Sequence, residues 1–320
     1  MTRRYVMHGG LLPRECLNKA YQALLAVVLC LHPSLTAAQP QATLEHDAVT
    51  VQFDRSLRTV AAEVLRIYPG VKRELEETFA AQITFRPTVV LMTDDAGFRR
   101  AAGSDLIAAV AYGPDKLIII DNSKMKRHPF TLEITLKHEL CHLLLSHLME
   151  GNILPRWLNE GVCQWVTGGV SELIMDERRD LLRQAVLSGR IIPLDRLAAA
   201  FPGDAASLML AYQQSRSFVQ YLVNEFDQDA LLVILGNLQK GNGIHEAVGN
   251  ALPASLYELE GSWHDHLRTS WTWLTYLSTY LYPLLFSFTA MALVYGFIRF
   301  LIRKRAYRDE EEDEDNDGAW

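Results

Sequence analysis

Two histidines and a glutamate stand at a spacing that suits metal chemistry. His138 and His142 are four residues apart, and Glu139 directly follows the first of them. On a helix, residues four apart lie on one face, so both imidazoles can bind one tetrahedral zinc ion. Glu139 would then lie beside the water that the metal activates and could act as its general base. These residues at this spacing indicate hydrolysis assisted by zinc.

A zinc site of this kind needs a helix to carry the histidines and a third protein ligand. Leucines recur at helical spacing through residues 131–148, which predicts a helix with one buried face and the histidines at its edge. Glu160 lies eighteen residues after His142 and is the candidate third ligand. Three protein ligands would leave one position open for water, as catalytic zinc sites do.

The motifs HELCH at 138–142 and PRWLNEG at 155–161 together resemble those of the gluzincins, a group of zinc metallopeptidases. Within that group the second motif is most similar to the peptidase MA-like domain proteins, and the resemblance runs from about Val49 to Leu267. It implies an α+β fold of the thermolysin-like type. In that fold a small α/β lobe with a mixed sheet packs on a helical lobe, and the metal lies in the cleft between them.

The resemblance also implies roles for individual residues. His138, His142 and Glu160 would hold one Zn2+ ion per chain, and Glu139 would be the general base. In some gluzincins an aspartate four residues past the glutamate ligand supports a zinc-bound histidine. Gln164 occupies that position here, and its amide oxygen can still accept a hydrogen bond from an imidazole N–H.

Tyr212 is a further candidate catalytic residue. In the resembling family a tyrosine near the start of a later helix often faces the cleft, where its hydroxyl could stabilise a developing oxyanion. A tyrosine at helical spacing with Val219 and Leu222 also suits an ordinary core position. The sequence leaves both alternatives open.

A β-hairpin is predicted just before the metal helix. Residues 107–112 and 117–121 are two short apolar runs, and Gly113–Lys116 between them is a strong turn signal. In the families that this chain resembles, an edge strand here lies along the cleft, where a peptide substrate could add to it. An interior hairpin is the alternative, because the sequence does not show which edge is free.

Apolar periodicity predicts the remaining elements. Strands are expected at 49–53 and 88–92, and helices at 57–81 with an interruption at Pro69, and at 98–102, 158–166, 172–189, 207–226, 229–239 and 254–267. We therefore expect an N-terminal α/β lobe at 39–125 and a helical lobe with the zinc site at 126–268.

Residues 1–38 have the pattern of a secretory signal peptide. Basic residues precede an apolar stretch from Ala20 to Leu31, and small residues around Ala37 suit a cleavage site. An amphipathic helix or an uncleaved anchor is the alternative reading. The bulky Leu29 before Cys30 excludes a lipoprotein site.

Residues 269–302 are predicted to form a transmembrane segment. No charged residue occurs from Thr269 to Ile298, and Leu277 to Ile298 is long enough to cross a hydrocarbon core as a helix. Tryptophans and tyrosines crowd its first part, and Arg303 to Arg305 are basic. The positive-inside rule therefore predicts a single-pass protein of the cell membrane, the inner membrane if the chain is bacterial, with the zinc domain extracytoplasmic or periplasmic.

The C-terminal region 303–320 is predicted to be a cytoplasmic tail. It carries eight acidic residues between Asp309 and Asp317, and we expect it to lack stable structure. Whether a cytoplasmic partner binds it is left open. The whole chain has a formal net charge of −7, and the absence of a basic stripe in 39–298 argues against nucleic-acid binding.

Cys141 and Cys163 are each three residues from a proposed ligand, His138 and Glu160 respectively. Their side chains could meet on facing helices. An oxidising compartment would permit a disulfide, and two buried free thiols are the alternative.

These observations favour a membrane-anchored, extracytoplasmic zinc endopeptidase whose partners are a peptide or protein substrate and the lipid bilayer. Aminopeptidase activity is disfavoured because the chain has no motif like the GxMEN element of gluzincin aminopeptidases. One alternative is a catalytically silent peptidase-like module for binding or assembly at the membrane. A scaffold with a structural zinc is another, although structural zinc normally has four protein ligands.

Overall fold

The computed structural model describes residues 42–93, 95–102, 107–125, 131–168 and 181–317. Side chains are described in these ranges except at 95–96, 101–102, 270–279 and 306–317. The predicted signal peptide lies outside the described residues, as do residues 172–180 of the helix predicted at 172–189. The predicted domain boundaries remain predictions.

The described residues contain one five-stranded mixed sheet. Its strands are β1 (Ala42–His46), β2 (Val49–Phe53), β3 (Thr88–Met92), β4 (Ala109–Tyr112) and β5 (Leu117–Asp121), in the order β1-β2-β3-β5-β4. The three central strands are parallel to one another, and β1 and β4 pair antiparallel at the two edges. The predicted hairpin is confirmed, and β4 lies at an edge. The sequence did not predict β1, whose mixed, largely exposed residues alternate only weakly.

The described residues also contain nine α-helices, two of which lie between strands of the sheet. They are α1 (Arg58–Phe79), α2 (Asp95–Ala102), α3 (Leu132–Leu148), α4 (Arg156–Val166), α5 (Leu181–Ser188), α6 (Leu194–Ala199), α7 (Ala205–Gln239), α8 (Ile244–Ala251) and α9 (Leu256–Asp317). Pro69 lies inside α1 without ending it, so the predicted interruption is wrong. The short helices α6 and α8 were not predicted, because neither contains enough turns to show a clear period.

Helix α3 lies at the centre of the fold. It contacts α1, β4 and β5 as well as α4. Its buried residues therefore surround the helix instead of forming one stripe: Leu132, Thr135, Leu136, His138, Glu139, Leu140, Cys141, Leu143, Leu144 and Leu145. The expectation of a single buried face is wrong, since neighbours pack on more than one side of this helix.

Helix α9 joins two different environments. Its first turns pack on α5, α7 and α8 and bury Leu259 and Trp263. Its segment Tyr280–Arg305 is long and apolar enough to cross a membrane, and none of it is buried within the protein. The helix continues to Asp317. The expectation that the acidic tail lacks structure is therefore wrong, and its glutamates are good helix formers.

Candidate metal centre

Helix α3 carries two of the candidate ligands. Its N-terminus is capped by Thr131, whose side-chain oxygen accepts a hydrogen bond from the Ile134 N–H at 3.2 Å. His138 is 1% exposed and His142 is half-buried, one helical turn further on. Their Nε2 atoms lie 3.1 Å apart. The four-residue spacing thus places both ring nitrogens at one point, as the sequence predicted.

Helix α4 brings the third candidate ligand. Glu160 is 6% exposed, and its Oε2 lies 3.6 Å from Nε2 of His142. The next residue, Gly161, allows α4 to pack closely on α7, because a Cβ there would overlap the backbone carbonyl oxygen of Ser215 and lie 2.6 Å from Val219 Cγ2. Close packing of α4 on α7 therefore depends on glycine beside the ligand.

The three groups fit a divalent metal. One donor atom from each of His138, His142 and Glu160 lies within 4.8 Å of the other two. Two ligands that are each about 2.0–2.1 Å from a tetrahedral zinc ion should be roughly 3.3 Å apart, and the separations of 3.1 and 3.6 Å bracket that value. Two imidazoles and a carboxylate form a donor set that zinc binds readily.

Glu139 is fully buried beside the cluster. It follows His138 on α3, so it points to a different side of the helix from the two histidines. It is not one of the three residues of the cluster. A second buried carboxylate therefore lies next to a candidate ligand in the chain, at the position that the sequence predicted for a general base.

Tyr212 reaches the site from α7. It is 2% exposed, and its hydroxyl donates to Oε1 of Glu160 at 3.5 Å, the long limit for a hydrogen bond. Its ring packs edge-on against Phe201 at 5.1 Å. Tyr212 therefore has features of both alternatives. Its ring is part of the packed interior, as in a core residue, and its hydroxyl contacts a candidate ligand.

Asn159 is a residue whose part in the site the sequence did not reveal. Its Oδ1 lies 3.1 Å from Nδ1 of His142. An amide oxygen only accepts, so Nδ1 carries the proton and Nε2 presents its lone pair to the cluster. The position of Asn159, directly before Glu160, could have served as a signal once α4 was placed against α3.

Gln164 does not make the contact predicted for it. Its amide nitrogen donates to the carbonyl oxygens of Glu160 and Tyr212, both at 3.2 Å. Its Oε1 is buried and accepts no hydrogen bond from the described residues. Gln164 therefore ties α4 to α7, and the imidazole contact belongs to Asn159.

Two buried thiols lie close to the candidate ligand His142. The sulfur atoms of Cys141 and Cys163 are 2.7 Å apart, both residues are fully buried, and both are free cysteines. Cys163 Sγ is also 3.4 Å from Nδ1 of His142. Burial, and then the contact with Cys141, raises the pKa of the Cys163 thiol well above its usual value.

An open pocket of about 490 Å³ lies beside this centre. It is bounded by the turn between β4 and β5, by the C-terminal end of α3 and by Asn159. His147 also lines it, and its Nε2 is 3.3 Å from Thr84 Oγ1. His147 follows His142 by five residues on α3, so it lies on another side of the helix and its partner is Thr84.

Comparison with known proteins agrees with this geometry. A family model described as the Peptidase MA superfamily matches residues 104–269, which is more than half of the chain and contains all the candidate site residues. A search of curated proteins found no match.

Proposed function

We propose, from the premise that this chain belongs to the peptidase MA superfamily, that it is a membrane-anchored zinc endopeptidase. The observation that supports this most directly is the meeting of His138 Nε2, His142 Nε2 and Glu160 Oε2, with the Glu139 carboxylate buried close by. Three protein ligands leave a coordination position for water or substrate, which a structural site with four ligands does not.

The residues divide the chemistry between them. Zinc, when bound, would supply a Lewis acid that polarises the peptide carbonyl and lowers the pKa of water. Glu139 takes the proton of the attacking water and delivers it to the leaving amine. Without substrate the Tyr212 hydroxyl donates to the Glu160 carboxylate, and the same O–H would turn from it to donate to the carbonyl oxygen as negative charge develops there. Asn159 fixes the tautomer and orientation of His142.

A peptide substrate would bind along β4. This strand pairs with β5 on one side, and no described strand occupies its outer edge. An extended peptide can add to such an edge by main-chain hydrogen bonds. Because β4 packs on α3, a peptide on that edge would lie close to the metal helix. The pocket between the β4–β5 turn and α3 could accept one of its side chains.

The candidate membrane helix supports an anchored enzyme. Arg299 and the basic residues 303–305 follow the most apolar part of this helix, and by the positive-inside rule they favour a cytoplasmic C-terminus with the peptidase domain outside. A reporter that works only in the cytoplasm should be active when fused after Trp320 and inactive when fused after Leu267. The reverse pattern would overturn this orientation.

The activity is tested with two matched substitutions on α3. Glu139→Gln keeps the size of the side chain but removes the base, so we expect zinc content to stay near wild type and casein hydrolysis to fall by roughly 10²–10⁴-fold. Glu133→Gln makes the same chemical change at an exposed position in the first turn of α3 and should leave hydrolysis unchanged. The full chain in detergent micelles is the sample.

A zinc chelator provides the second arm of this test. Hydrolysis by the wild type should disappear with the chelator and return with added zinc. Hydrolysis that survives both chelation and Glu139→Gln would come from another source. The protein would then be a peptidase-like binding module.

A further inference from the structure

The two cysteines join the helices that form the metal centre. Cys141 lies on α3 and Cys163 on α4, their sulfur atoms are 2.7 Å apart, and no part of either residue is exposed. A disulfide bond has a length of about 2.05 Å, so the sulfurs need to approach by only about 0.7 Å to bond. The mechanism proposed above gives neither thiol a task.

We propose that Cys141 and Cys163 are an oxidation site and form a disulfide that fastens α4 to α3. The inference rests on the extracytoplasmic location proposed above, since oxidising compartments are where structural disulfides persist. The reaction needs a two-electron oxidant, and the chemical class required is a disulfide, such as that of a thiol oxidoreductase. The two cysteines lose two protons and two electrons in forming one S–S bond, and the oxidant's disulfide becomes two thiols.

Burial determines when the bond forms. A thiol–disulfide exchange needs access for the oxidant, and both sulfurs are inaccessible once α3 and α4 have packed. Oxidation therefore takes place before this packing is complete. Once it is formed, the same burial protects the bond from reductants in the surrounding solution.

The bond would enclose much of the site in a covalent ring. The ring from Cys141 to Cys163 contains two candidate ligands, His142 and Glu160, together with Asn159. It also contains the connection between the helices, where Glu150 and Gly151 both have positive φ angles of 48° and 93°. Closing this ring restricts the unfolded chain and holds Glu160 near His142 when no metal is present. The disulfide therefore preserves the site in the metal-free protein.

Thiol labelling tests the proposal on the full chain. Membranes are quenched with iodoacetamide, and the denatured protein is alkylated before and after reduction and mapped by peptide mass spectrometry. We expect Cys141 and Cys163 to be labelled only after reduction, and their two peptides to be joined without it. Labelling of both cysteines before reduction would overturn the proposal.

Thermal unfolding of the metal-free protein tests the consequence. Because the folded protein protects the bond, the protein is unfolded in urea, treated with a phosphine reductant and refolded in its presence. This treatment should lower the Tm of the wild type by roughly 6–12 °C relative to protein refolded without reductant, as expected for opening a ring of this size in a domain of this size. The same treatment should leave the Tm of the Cys141→Ala/Cys163→Ala variant unchanged. A wild-type Tm that does not respond, or an equal fall in both proteins, would overturn the stabilising role. Neither result depends on hydrolysis, so failure of the peptidase proposal would be recognised separately by the Glu139→Gln test.

Discussion

Helix α3 and the second half of α9 are both rich in large apolar residues, and the surroundings of these residues differ. In α3 the leucines 136, 140, 143 and 144 are fully buried inside the protein. In the second half of α9, large apolar side chains are exposed, with Phe286 at 77% and Leu293 at 70%. An apolar helix surface is favoured in apolar surroundings, and the protein interior and a lipid bilayer both provide them. The protein interior encloses α3, whereas none of the segment Tyr280–Arg305 is buried within the protein.

The two helices also differ in the polar groups that they carry. Helix α3 holds His138, Glu139 and His142 among its leucines, and α4 supplies Asn159 and Glu160 as partners of His142. Buried polar groups are costly unless they are paired, so their presence in a core helix indicates a functional site. The segment of α9 from Tyr280 to Ile298 contains no Asp, Glu, Lys, Arg or His. This composition suits the membrane anchor proposed above.

The largest expected effect compares one leucine from each helix. Leu140→Ala leaves a cavity in the protein core and should lower the free energy of unfolding by about 2–5 kcal/mol. Leu293→Ala removes the same atoms from a side chain that is 70% exposed and should leave the stability of the peptidase domain unchanged. Urea unfolding of both variants in the same detergent measures the difference. Equal effects would show that the segment around Leu293 packs on the domain.

The second prediction concerns the polar groups inside α3. Apparent zinc affinities of about 10–16 kcal/mol shared among four ligands suggest that one ligand is worth about 3 kcal/mol, or roughly 10²-fold in affinity. His138→Ala should therefore lower the zinc affinity by roughly 10²-fold, measured by competition with a metal-binding dye. His147→Ala changes a histidine on the same helix that contacts Thr84, and it should retain zinc. Equal retention by both variants would disprove the assignment of His138.

The third prediction tests Asn159, which acts through His142. Loss of a partner that orients a ligand typically costs 10–100-fold in metal affinity, so Asn159→Ala should weaken zinc binding by that factor. Asn159→Asp keeps an oxygen acceptor and should restore the affinity. Asn250→Ala, on an exposed surface of α8, is the matched control and should have no effect. Weak binding by both Asn159 variants would indicate a general packing defect.

The sequence predicted the parts of the site that lie within one helix. The spacing of His138 and His142 settles their meeting once the segment is helical, because helical geometry leaves little choice. The likeness to a family supplied Glu160. The roles of Asn159 and of Cys163 depend on how α4 lies against α3, and no local pattern contains that information. The single buried face predicted for α3 failed for the same reason, since burial depends on neighbours that are distant in sequence.

The sequence also did not reveal the strained backbone at Asp227 in α7. The sequence predicted two helices here, 207–226 and 229–239, and the break between them is confirmed, because the backbone of α7 is not helical at Asp227. This exposed residue has φ 67° and ψ 168°, a region that glycine adopts and other residues rarely do. Gln228 beside it donates from its side chain to the carbonyl oxygen of Thr78 at 2.6 Å, which fixes the position of the break. The remote contact therefore maintains a conformation that the local sequence disfavours.

The smallest expected effect follows from the break in α7 and compares this helix with α3 and α9. Strain at such a residue costs about 1–3 kcal/mol, whereas glycine costs about 0.5–1 kcal/mol in backbone entropy. Asp227→Gly should therefore stabilise the domain by about 1 kcal/mol. Asp229→Gly makes the same substitution two residues later, at an exposed helical position, and should destabilise the domain by only about 0.3 kcal/mol, because aspartate is itself a weak helix former. Urea unfolding should show opposite signs for the two variants. A loss of stability in both would mean that Asp227 makes a contribution that outweighs its strained backbone.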